Sequence, residues 1–160
     1  MARPPARRRS APSVPDYAGL ADFRALIRQF LRTRETAARA AGVEPQQYQV
    51  LLQIKGLTGR RPATVGALAD RLQISQHAVV QLVNRLARRK MVRRRRDDPD
   101  ARFVVIELLP RGETILRRLA LQSLAELRVE GRALVAALRR LLAASDRPPQ
   151  PARSGRRRRT

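Results

Sequence analysis

The chain has 160 residues, 43% of them apolar, and a formal net charge of +22. That apolar share is enough to bury one substantial core. There is no cysteine, which excludes disulfides, thiolate nucleophiles and cysteine-based redox sensing. The basic N-terminal region lacks the apolar segment of a secretory signal, and no window approaches about 18 uninterrupted apolar residues. A soluble, cytoplasmic protein without membrane contact is the expectation.

Of the 35 basic residues only Lys55 and Lys90 are lysines. Four arginines and no acid stand in 1–15, and a net five charges stand in 146–160, so thirteen remain on the middle of the chain. A folded unit this basic is expected to seek a polyanion, with double-stranded DNA the leading candidate. The ends, "MARPPARRRSAPSVP" and "DRPPQPARSGRRRRT", are rich in Pro, Arg, Ser and Ala and almost free of large apolar residues. They cannot offset their ordering entropy by burial, so 1–15 and 146–160 read as disordered basic tails around one domain, 16–145. Their arginines either add non-specific DNA affinity or are simply solvated.

Asp16 reads as the N-cap of a first helix over 17–41, with Leu20, Phe23, Ile27, Phe30, Leu31 and Ala38 at helical spacing. Gly42 closes it, and Val43 packs back onto it. Pro45 suits the first position of a second helix, 45–55, which carries Tyr48, Leu51 and Leu52 and ends near Gly56. After the loop "TGRRP", Thr64 caps a short third helix with Val65, Leu68, Ala69 and Leu72 on one face. Ser75 then caps a fourth, where Val79, Leu82, Val83 and Leu86 repeat the spacing. Two short amphipathic helices joined by a tight turn make a helix-turn-helix unit. Gln73 occupies the turn position where glycine is common, at a cost of roughly 1–2 kcal/mol if left-handed.

The period then changes to two. "RFVVIEL" reads as a strand, "MVRRRR" as its partner, and "DDPDA" as the turn, with Asp98 at its first position and Pro99 at its second. A hairpin placed there is a wing. Pro110 and Gly112 open a helical C-terminal third with Ile115, Leu119, Leu127, Leu134, Leu138, Leu141 and Leu142 on its apolar faces, and Gly131 suggests a break between two helices. The fold class is mainly α with a small β-hairpin: a winged helix-turn-helix over about 45–110, flanked by N- and C-terminal helices.

In such a unit the second helix lies in the major groove. With its apolar side facing the core, it presents Gln76, His77, Val80, Gln81, Asn84, Arg85 and Arg88 outward, and these together with the cap Ser75 are its expected DNA contacts. Gln and Asn bond adenine, Arg bonds guanine, and Val80 suits a thymine methyl. An ordinary solvated helix face looks just as polar; the adjoining turn and wing favour base contact. His77 is the sole histidine, and no cysteine or second histidine is available to complete a metal site or a nucleophile pair. No metal, cofactor or catalytic role is expected. Tyr48, an aromatic at helical spacing, reads as core before it reads as a ligand contact. Along "VRRRR" alternate side chains point to opposite faces, so Arg93 and Arg95 cannot share a face with Arg94 and Arg96. Asp98 shapes the turn, and Asp100 can pair with an arginine across the hairpin. Arg94, Arg96 and Arg102 are the expected DNA contacts of the wing.

Residues 64–113 resemble the winged helix-turn-helix segment of the MarR family of bacterial transcriptional regulators, and the order of helices extends the resemblance over 17–143. The motif is Val92-x-Arg94 entering the hairpin, Asp100-x-Arg102 at its far side, and Leu108-x-Pro110-x-Gly112 leaving it. The resemblance implies a homodimer formed by the first and last helices, 17–41 and 111–144, on a pseudo-palindromic site. It also implies a repressor released by a small aromatic or phenolic effector, at a site that the residues do not identify. It would send Arg102 into the minor groove and use Asp100 to hold the wing. Leu109 replaces the Thr usual before Pro-x-Gly, and Glu44 stands where Ser or Thr often caps. The alternative is an architectural, nucleoid-associated protein that coats DNA without sequence preference.

Overall fold

A computed structural model describes residues 12–96 and 104–145 of the chain. The order is α1 (Val14–Ala40), α2 (Pro45–Leu57), α3 (Val65–Leu72), α4 (Gln76–Arg88), β1 (Val92–Arg96), β2 (Val104–Leu108) and α5 (Pro110–Ser145). The short helices and the hairpin enclose one core, in which Leu51, Leu57, Leu68, Leu86, Met91 and Ile106 are fully buried. α1 and α5 run antiparallel, with Gly19 facing Leu141 at one end and Arg34 ion-paired to Glu126 further along. The guanidinium of Arg34 also lies over the Phe30 ring, 5.0 Å from its centroid.

Local signals account for most boundaries. Thr64 Oγ1 accepts from the Ala67 amide at 3.2 Å and Ser75 Oγ from the Ala78 amide at 3.1 Å, capping α3 and α4. α1 ends with Gly42 at φ 77°, the Gly42 amide bonding to Arg39 O and the Val43 amide to Ala38 O, as a left-handed helix end requires. The same device closes α3 at Gln73 (φ 55°) and α4 at Lys90 (φ 54°). In each the following amide reaches back: Ile74 to Ala69 O and Met91 to Leu86 O. Both are non-glycine, so tertiary packing holds a conformation that costs each roughly 1–2 kcal/mol.

Several expectations change. α1 starts at Val14 with Ser13, not Asp16, as its cap: the Ser13 amide donates to Asp16 Oδ2 at 2.7 Å, making Asp16 the return arm of the cap. Val14 and Pro15 are therefore helical rather than part of a disordered tail, whereas 1–11 and 146–160 lie outside the described residues. α2 continues through Gly56 to Leu57, because Ile54 and Leu57 are buried and carry the helix past the glycine. Leu52 points outward; Val50 takes the core position instead. Gly131 does not break the last helix. α5 is continuous for 36 residues, since a glycine keeps its amide hydrogen bond and its neighbours Val129, Glu130, Arg132 and Ala133 continue the turn. Glu44 precedes α2 without a Ser or Thr hydroxyl, and the Gln47 side chain substitutes by accepting the Glu44 amide at 3.3 Å. Tyr48 is core, 5% exposed, with its hydroxyl 3.5 Å from Ser123 Oγ.

Candidate nucleic-acid interface

α4 presents its expected outer face. Val79, Leu82, Val83 and Leu86 are buried, while Gln76, His77, Gln81, Arg85 and Arg88 are exposed and Val80 and Asn84 are half-buried. Ser75 is spent on the cap. The helix N-terminus stands clear at the surface and carries no acid in its first turn, so its partial positive charge adds to the local field.

β1 and β2 pair antiparallel, with Arg94 opposite Ile106, Arg93 opposite Glu107 and Arg96 opposite Val104. Arg94 and Arg96 therefore project from the face that packs toward α4, and Arg93 and Arg95 from the other, as the alternation requires. Arg94 Nη2 donates to Asn84 Oδ1 at 2.7 Å, joining the hairpin to α4. On the opposite face Glu107 holds two arginines: Arg93 Nη2 at 2.8 Å from Oε2 and Arg95 Nε at 2.8 Å from Oε1. The expected brace by Asp98 and Asp100, and the position of Arg102, lie outside the described residues. Among the described residues it is Glu107, not an aspartate, that pairs with arginines across the hairpin. That pairing was readable from the hairpin register. The Asn84–Arg94 bond was not, because it depends on how β1 leaves α4.

One further link went unread in the sequence. At the end of α4, Arg89 donates to Gly42 O at 2.6 Å and to Gln47 Oε1 at 3.2 Å. It thereby fastens the recognition helix to the junction of α1 and α2. Gln47 is itself buried, so both its carbonyl contacts, with the Glu44 amide and with Arg89, satisfy a polar group that would otherwise be costly.

A sequence model of the MarR family matches residues 41–102, from the end of α1 past β1 but short of β2. A MarR family transcription regulator of known structure is 25% identical, with a TM-score of 0.64 over 81% of this chain and 87% of its own. AbsC, a MarR family transcriptional regulator from Streptomyces coelicolor, is 18% identical, with a TM-score of 0.68 over 86% and 93%. A variant of S. aureus MepR bound to an oligodeoxyribonucleotide is 20% identical, with a TM-score of 0.58 over 80% and 96%. At 18% and 20% identity the last two speak to the fold alone. No curated protein matches the chain. Among the described residues no helix is long and apolar enough to cross a membrane. Family match, helix order and paired hairpin agree: residues 41–102 match the MarR family model, and the chain has the fold of MarR family winged helix-turn-helix transcriptional regulators.

Proposed function

We propose that the protein is a sequence-specific, homodimeric DNA-binding repressor, released from its operator by a small aromatic or phenolic effector. The observation that carries the reading is the exposed polar face of α4 set beside an arginine-rich hairpin. Gln76, His77, Val80, Gln81, Arg85 and Arg88 are the base-reading set on that face. Arg94 and Arg96 are the wing contacts, to which the sequence adds Arg102 as a contact and Asp98 and Asp100 as a brace, all three outside the described residues. Asn84 reads bases only through its amide donors while Arg94 occupies its oxygen, so Gln81 is the stronger candidate for bidentate contact with adenine. The homodimer is supported by the apolar side chains that α1 and α5 leave exposed. The effector is what the resemblance to the family implies. Similar structures include one bound to an oligodeoxyribonucleotide, which supports duplex DNA as the partner.

The test is selection of bound fragments from a random duplex pool by the purified full chain. The expected product is a short inverted repeat with half-sites about 10 bp apart. Gln81→Ala should alter the preferred bases at one position per half-site and cost roughly 1–3 kcal/mol there. Removing both tails should weaken binding but keep the preference, because the tails add only a salt-dependent term. A pool that emerges without sequence preference would overturn the reading in favour of a coating protein.

A further inference from the structure

The hairpin has a second face, and a cavity opens on it. The cavity, of about 550 Å³, lies between the C-terminal end of α2, the loop 58–63, β2 and the start of α5. Its cations are Lys55, Arg60, Arg61 and Arg95; its carboxylates are Glu107 and Glu113. Both carboxylates are already engaged, Glu113 by Lys55 at 2.7 Å and Glu107 by Arg95 and Arg93. The guanidinium groups of Arg60 and Arg61 are exposed and have no partner among the described residues. Two positive charges are thus in excess in one concave site. Ile54, Pro62, Val105 and Leu108 supply an apolar lining.

The site is held in shape before any ligand arrives. The amides of Arg60 and Arg61 both donate to Leu57 O, at 2.9 and 3.2 Å, and the Ile106 amide donates to Ala63 O at 2.9 Å. The loop is therefore stapled to α2 at one end and to β2 at the other. The charged part of the cavity wall on the hairpin faces away from α4. Val105, Glu107 and Arg95 belong to the hairpin face opposite to that of Arg94, which bonds α4. A duplex gripped by α4 would not fill it, which favours a small molecule over nucleic acid. Its volume is that of a site for a small organic ligand.

We propose that this cavity is a binding site for a small organic dianion with an apolar body. Arg60 and Arg61 grip the charged head by charge-assisted, bidentate hydrogen bonds, and the apolar lining takes the body. The head can be a phosphate monoester or a dicarboxylate, which share this chemistry. The site stands on its own geometry and holds whether or not the chain binds DNA.

The test is calorimetric titration of the full chain, without DNA, with phenyl phosphate, phthalate, inorganic phosphate and benzyl alcohol. Phenyl phosphate or phthalate should bind saturably, about tenfold or more tighter than inorganic phosphate, with no binding by the neutral alcohol. The tighter of the two organic anions identifies the head group. Arg60→Ala combined with Arg61→Ala should weaken binding about tenfold or more. The same double substitution at Arg117 and Arg118, exposed on α5, should leave it unchanged. Both pairs are on the surface, and unchanged circular-dichroism melts would confirm that the variants fold. Equal loss in the two double variants would mean attraction by net charge alone and would overturn the proposal. So would binding of inorganic phosphate as tight as that of the organic anions, no loss on removing Arg60 and Arg61, or no saturable binding at millimolar ligand.

Discussion

Gly112 shows how a single residue can be fixed by its neighbours' backbone. A Cβ built there would lie 2.2 Å from the Met91 carbonyl oxygen, and that carbonyl accepts the Leu109 amide at 2.9 Å. The carbonyl cannot retreat without losing the bond that docks the start of α5 onto the end of α4. Gly112→Ala should therefore destabilise the fold by about 1–3 kcal/mol, as overpacking does. Urea denaturation at fixed protein concentration measures it, and a shift under about 0.5 kcal/mol would show that the contact relaxes freely. The motif Leu-x-Pro-x-Gly contains this glycine, but its reason, a close backbone approach, is invisible without the packed chain. Gln73 is the converse case. Its position, one where a turn glycine is common, raised a left-handed backbone as a condition, and it is found at φ 55°, while Lys90 adopts the same region with no local sequence signal to announce it.

At the level of elements, α5 and the hairpin behave differently. α5 runs unbroken through Gly131, where an added Cβ meets only Leu127 Cδ2 at an ordinary 3.7 Å. Gly131→Ala should stabilise the protein by about 0.5–1 kcal/mol, since alanine loses less backbone freedom in a helix. A broken helix at that point would give the opposite sign in thermal denaturation. In the hairpin the Glu107 pairs are partly exposed, with the two arginine side chains at 59% and 50%. Such pairs contribute about 0–1 kcal/mol, screened by salt. Glu107→Ala should leave global stability within about 1 kcal/mol while raising amide hydrogen exchange along β1, because it removes the carboxylate that Arg93 and Arg95 share. Unchanged exchange would mean that backbone pairing alone holds the strand.

Across the whole molecule the exposed apolar surface is concentrated on α1 and α5. Leu121, Leu124 and Val129 are 63%, 58% and 76% exposed, and Tyr17, Leu20 and Leu142 are also open. Among the described residues nothing covers these side chains, and exposed apolar surface of this kind marks a protein interface. Under the homodimer proposal, Leu121→Glu with Leu124→Glu should shift sedimentation from dimer toward monomer at micromolar concentration. Since two-fold symmetry sets the half-site spacing, the same variant should lose the inverted-repeat preference. An unchanged dimer would place the interface elsewhere.

The sequence by itself determined the helix-turn-helix, its caps, the buried side of α4 and the alternation of the hairpin. These rest on short-range rules: periods of 3.6 and 2, a hydroxyl three residues before the amide it accepts, a glycine at a left-handed turn. Only the tertiary structure decided the Asn84–Arg94 bond, the Arg89 link to Gly42 and Gln47, and the cavity between the hairpin, α2 and α5. Each joins residues from different elements, and the relative placement of elements is a property of the packed core. The continuity of α5 belongs to the same class. A lone glycine is only a weak local preference, and helical hydrogen bonding together with packing on α1 outweighs it.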